Sequence, residues 1–289
     1  MAPAIVALLA ALAFALGSVL QQRGTLEAPA GEGDPRFLVQ IIREPIWLAG
    51  ASLQGCGWLL QALALEQGSL VVVQSLCTLS LVFALPLGAR LTAQRIGRRT
   101  IAGAALTFLG IVAFLVVGQP GGGGSIASAA AVLTWGCIVA VAMLVLSRVA
   151  RRRRGPAAAA LFAGAAGMSF GLQAAATKLF VTDLGGGLAA ILAMPTTYVL
   201  IVSALAGFAL QQSALKTGFL APAIAASNAT TLATSVLLGV VLFGESIAGD
   251  GGHLPVAVGA LAIAVVGVVL LALPEQGRPS GDPPPSGRR

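Results

Sequence analysis

Apolar residues fill this chain in runs of about 20, divided by short polar connectors rich in Gly, Arg or both. Runs of that length match the roughly 30 Å hydrocarbon slab of a bilayer, and helices satisfy their own backbone groups there. The pattern therefore predicts an all-α polytopic membrane protein. Nine runs are long enough to cross, at about residues 3–22, 46–66, 69–89, 100–118, 126–147, 156–178, 196–215, 219–243 and 254–273. The first 22 residues lack the basic start and small-residue cleavage pattern of a secretory signal, so they are read as a retained span. The segment 274–289, PEQGRPSGDPPPSGRR, is polar with nothing to bury and is predicted to be disordered.

One stretch is written twice. Residues 57–68 read GWLLQALALEQG and residues 207–218 read GFALQQSALKTG, with six of twelve positions identical and Trp58 opposite Phe208. The same 150-residue offset matches Pro45 with Pro195, Leu38 with Leu188, Ile41 with Ile191 and Leu70 with Leu220. At a slightly different offset Leu20-Gln21 matches Leu172-Gln173, and the Gly103/Gly110 spacing resembles Gly259/Gly267. The two stretches lie in spans two and seven, an odd number of crossings apart, so they run in opposite directions. The chain then reads as two inverted repeats, 1–118 and 156–273, joined by span five and a cytoplasmic Arg-rich loop at 119–155. Short apolar segments at 36–44 and 185–194 precede the matched prolines and are interfacial or re-entrant, which leaves ten spans as the alternative count.

Composition sharpens the class. The chain has 289 residues, 57% hydrophobic and 9% charged, whereas a soluble domain carries about a quarter charged residues. The pI of about 10.6 does not point to nucleic acid, because the basic residues sit in the connectors. Connectors after odd-numbered spans, with the tail, hold 16 of the 17 basic residues, and only Lys178 lies on the other side. This bias puts the N-terminus outside and the C-terminus in the cytoplasm, with Arg95, Arg98, Arg99 and Arg151, Arg152, Arg153, Arg154 as topology anchors at the cell membrane. It also explains the change from Glu66, at an outer end, to Lys216, at an inner one. Cys56, Cys77 and Cys137 all lie in apolar runs and read as small hydrophobes.

Polar groups inside the spans are the candidates for function, because hydrocarbon makes them costly. Gly50, Gln54, Gly57 and Gln61 share one face of span two, and Ala204, Gly207 and Gln211 share the matching face of span seven, with Gln212 beside it. Span three carries Gln74, Ser75 and Thr78. Span eight carries Ser227, Thr230, Thr231 and Thr234 at i, i+3, i+4, i+7, with Asn228 adjacent. Small and hydroxyl residues also serve close helix packing, whereas amides need partners or water, so Gln61, Gln74, Gln211 and Asn228 are read as pathway lining. No Asp or Glu lies in the middle of a span, since Glu66 and Glu245 are at ends. A carboxylate proton relay is thereby disfavoured, and with no nucleophile and base pair, metal-ligand spacing or phosphate loop, neither an enzyme nor a cofactor is expected.

The AL-x-x-G endings at Ala64–Gly68 and Ala214–Gly218, and LFGES at 242–246 before a Gly-spaced last helix, resemble the drug/metabolite transporter superfamily, broadly its EamA-like group. The first half departs from that pattern, with Arg95 where the second has an acid. The nine-span layout with an outside N-terminus is similar to the NIPA-type magnesium transporters. The resemblance implies secondary transport by alternating access, with substrate held between inverted halves. Amide-rich, nearly neutral faces suit a small polar solute. The alternatives are a divalent cation pathway using Glu66 and Glu245, and a membrane scaffold whose arginine run recruits a partner. The expected partners are the bilayer, a small-molecule or ion substrate and, as an open alternative, a second copy of the chain.

Overall fold

The structure, a computed structural model, describes residues 2–27, 43–91, 98–121, 127–182, 192–215, 217, 220–247 and 253–272. Among these, the regular elements are helices: α1 (Ala2–Glu27), α2 (Pro45–Gln67), α3 (Leu70–Thr78), α4 (Ser80–Leu91), α5 (Arg98–Gly118), α6 (Ala129–Arg151), α7 (Gly155–Thr182), α8 (Pro195–Leu215), α9 (Leu220–Phe243) and α10 (Leu254–Ala272). Seven stretches are long and apolar enough to cross a membrane, carried by α1, α2, α3 with α4, α5, α6, α7 and α9. The apolar stretches of α8 and α10, Pro195–Gln211 and Leu254–Leu270, are shorter. Most of the segments 36–44 and 185–194, the loop holding Arg95, and the tail 274–289 lie outside the described residues.

Local chemistry explains where the helices begin and break. Pro45 and Pro195 each open a helix, where a missing N–H costs nothing and φ is preset. The Ser69 and Ser128 hydroxyls accept from Val72 N (3.1 Å) and Ala131 N (3.2 Å), capping α3 and α6. Span three is split at Leu79. The Thr78 hydroxyl donates to Gln74 O at 2.9 Å, a back-bond that bends helices, and Leu79 N turns to Leu76 O at 3.0 Å. The helical bonding resumes at Phe83 N to Leu79 O, 3.0 Å.

Helix pairs form through glycine. α1 lies along α2, α7 along α8 and α9, and α5 against α10, while α3 packs on α9 and α1. A Cβ on Gly110 would stand 2.5 Å from Ala264 N, and one on Gly267 would stand 2.5 Å from Thr107 Oγ1. A Cβ on Gly57 would stand 2.6 Å from the Phe14 ring, and one on Gly207 would stand 2.7 Å from the Phe170 ring. Each site lets a backbone or ring approach that any side chain would block, which is how helices gain contact where lipid tails are as apolar as they are. Between the pairs, Leu70, Val73, Leu76, Leu172, Leu179, Leu238 and Leu242 belong to one buried apolar cluster. Trp58 and Phe208, matched in the repeat, both point outward from the bundle, as lipid-facing aromatics do.

This packing makes a sharp contrast. Gly110→Val should destabilise the detergent-solubilised protein by about 2 kcal/mol or more through overpacking. Gly259→Ala, at a glycine with nothing within 4 Å of its would-be Cβ, should leave the melting temperature unchanged.

Candidate functional site

The carboxylate of Glu245 is the most densely bonded polar group among the described residues. Gly244, one place past the end of α9, has φ of 61°, a conformation that favours glycine and turns the chain back on its own helix. Glu245 N then donates to Gly239 O at 3.1 Å, and the side chain lies over Gly239, whose Cβ would stand 2.8 Å from Glu245 Oε2. In that position the carboxylate meets the start of α3. Leu70 N donates to Oε1 at 2.6 Å, Val71 N to Oε2 at 2.8 Å, and the Ser69 hydroxyl to Oε2 at 3.0 Å. From the end of α7, Lys178 Nζ donates to Oε1 at 2.7 Å and sits 4.7 Å from the centroid of the Phe243 ring.

Glu245 is 1% exposed, so its charge is stabilised by these four donors and by the positive end of α3 rather than by water. Deleting one partner of such a buried pair typically costs about 3–5 kcal/mol. One residue later, Ser246 N and its hydroxyl donate to Gly121 O at 2.8 and 3.0 Å, while Gly121 N donates to Ser246 O at 3.2 Å. The connectors after α2, α5 and α9 and the end of α7 thus converge at one end of the bundle.

A second polar group lies deeper, between α3 and α9. These helices are antiparallel, because the start of α3 meets the end of α9, and a Cβ on Gly239 would stand 2.6 Å from Val71 Cγ2. Moving one turn along each from that contact reaches Ser75 and Ser235, which therefore stand at the same depth. Both are 0% exposed, and neither hydroxyl has a hydrogen-bond partner. The neighbouring Gln74 is buried with its Nε2 unpartnered. Each such group costs about 1–3 kcal/mol when left unsatisfied. Two hydroxyls and an amide donor, without a formal charge among them, are thus left unpartnered in the interior of the bundle.

The remaining candidates separate. Thr78 is buried on α3 and bonded to Gln74 O, and Thr231 and Asn228 are half-buried further along α9. Gln54 Nε2 donates to Ser18 Oγ at 3.3 Å, and Gly50 and Gly57 of the same face pack on α1, so much of that stripe joins α1 to α2. Gln61 is half-buried on α2, and Gln211 on α8 has a buried, unpartnered Oε1. Gln212 lies in α8 with its side chain outside the described set. Of the two end-of-span acids, Glu66 is exposed and Glu245 is taken up by its four donors. Arg98, Arg99 and Arg151 to Arg154 are exposed at helix ends. The hydroxyls of α9 serve α7 as well: the single Thr230 hydroxyl proton has Gly164 O of α7 at 2.9 Å and Ala226 O of its own helix at 2.7 Å as acceptors, and Gly171 packs on Thr234. Sequence reasoning passed over Ser235, although it extends the Ser227–Thr231 series by one more i+4 step.

These differences predict opposite effects of hydroxyl removal. Ser75→Ala and Ser235→Ala should leave the melting temperature unchanged or raise it, since each deletes an unsatisfied group. Thr230→Val should lower stability by about 1 kcal/mol, because it deletes a hydroxyl that has acceptors within reach on α7 and on its own helix.

No family model and no solved structure matches the chain. An uncharacterized protein of Corynebacterium glutamicum is 31% identical to it over 249 residues, covering 83% of each chain. The chain belongs to the same family as that corynebacterial protein.

Proposed function

We propose that this protein is a secondary transporter that moves a small, neutral, polar solute across the cell membrane by alternating access between two inverted halves. In this reading α8 and α10 cross as well, giving nine spans with the N-terminus outside and the C-terminus in the cytoplasm. The EamA-like resemblance of the AL-x-x-G and LFGES segments points the same way.

The observation that carries the reading is a packing motif found in both halves: Phe14 of α1 lies over Gly57 of α2, and Phe170 of α7 lies over Gly207 of α8, the glycine matched to Gly57 in the 150-residue repeat.

α3 and α9 cross between the same halves, and Gln74, Ser75 and Ser235 lie at their contact. Rocking about this crossing exposes those groups to one side and then the other, the usual place for a substrate site in such folds. Their neutrality selects a solute recognised by hydrogen bonds. The cation alternative is less well supported, because Glu245 already accepts from two backbone N–H groups, a hydroxyl and an ammonium.

The test is thermal stabilisation of the reconstituted protein by amino acids, amines, sugars, nucleosides and divalent salts. A substrate well above its Kd should raise the melting temperature by about 5 °C. That rise should vanish in Gln74→Leu and in the Ser75→Ala, Ser235→Ala double variant, both still folded. A rise with magnesium alone, or one indifferent to these substitutions, contradicts the proposal.

A further inference from the structure

The Glu245 cluster ties α3 of the first half to α7 and α9 of the second, and alternating access has to separate the two halves. Its carboxylate hangs from α9, its backbone donors belong to α3, and its ammonium comes from α7. With α9 at the contact of the two halves and α3 in the other half, the bonds cross the plane on which the halves rock. They also sit at a single end of the bundle, beside the Ser246–Gly121 pairing.

Inversion gives every outer feature an inner counterpart, and this one has lost its chemistry. At the 150-residue offset the counterpart of Glu245 is Arg95, and that of Ser69 is Phe219. A cation cannot take an acceptor's place at a helix start, since both the backbone N–H groups and the macrodipole there are positive. Nor can a phenyl ring replace the hydroxyl. The acid and its hydroxyl partner therefore belong to one end only.

We propose that Glu245, Lys178 and the Ser69–Val71 start of α3 form a one-sided bolt on the outer gate. It holds the resting protein closed to the outside and is released when the transporter turns outward. This rests on the transporter reading and its orientation. Ser69 and Lys178 act as positioning residues for the carboxylate, and the substrate meets none of the three. The bolt also accounts for Lys178 as the lone basic residue on the outer side: its ammonium is neutralised by Glu245 and lies over Phe243.

Cys77 supplies a native reporter. It is buried on α3, about 10 Å along the helix from Leu70, with its Sγ–H directed at Ala7 O. In proteoliposomes of Cys56→Ser, Cys137→Ser protein, a membrane-impermeant maleimide should label Cys77 slowly from the outer face. Glu245→Gln should raise that rate about tenfold or more, since it weakens bonds to a charged acceptor. Ser69→Ala should raise it by a smaller factor, and neither should raise labelling from the inner face. An unchanged rate in folded Glu245→Gln protein overturns the bolt, and so does an equal rise from both faces, which marks a loosened bundle. If Glu245→Gln does not fold, Ser69→Ala decides on the same terms. The readout needs no substrate, so the bolt can fail while the transport reading stands, and the ligand screen can fail while the bolt stands.

Discussion

A carboxylate shut away from water has to be surrounded by donors, and the way Glu245 meets that requirement fixes the architecture of one end of this bundle. Two backbone N–H groups, one hydroxyl and one ammonium converge on it from α3 and α7. For the side chain to arrive there, Gly244 must take a left-handed turn and Gly239 must have no Cβ in the way. For the donors to be free, α3 must begin at Leu70, which its Ser69 cap secures. The register of α3 against α9 follows, and with it the pairing in depth of Ser75 with Ser235. One buried charge thus sets the geometry of neutral groups one turn further in.

Elsewhere the bundle holds together by close approach rather than by charge. With no hydrophobic drive between helices in lipid, contact area and interhelical bonds decide which faces meet. Glycines at the α1–α2, α7–α8, α7–α9 and α5–α10 crossings supply that area, while bulky Leu, Val and Ile side chains line the outside. Against this well-packed background the unpartnered hydroxyls of Ser75 and Ser235 stand out. A fold that satisfies Glu245 four times over leaves them unsatisfied.

The helices were legible in the sequence because hydropathy is a local property: the apolar runs end within a few residues of the observed helices, and seven stretches are long and apolar enough to cross a membrane. The matched prolines open α2 and α8, and the matched aromatics Trp58 and Phe208 both face outward. The polar faces were harder to read. A face kept from lipid can line a pathway or join a neighbouring helix, and the spacing of Gln54 with Gly50 and Gly57 is the same in either case. Only the structure shows Gln54 bonded to Ser18. The Glu245 cluster was further out of reach, since Leu70 and Glu245 are 175 residues apart and three helices must first be placed. Its trace in the sequence was a single anomaly, Lys178 as the one basic residue apart from the connectors that hold the other 16. The break at Leu79 likewise has no mark in the periodicity.

Inverted halves would put matched residues on opposite faces of the membrane, and side-specific labelling of one matched pair reads that out. Gln67 and Thr217 occupy the same place in the repeat, just beyond the shared AL pair. In a cysteine-free background in intact cells, Gln67→Cys should react with an impermeant thiol reagent, and Thr217→Cys should react only after the membrane is opened. Labelling of both from the same side would mean parallel halves and would contradict the account.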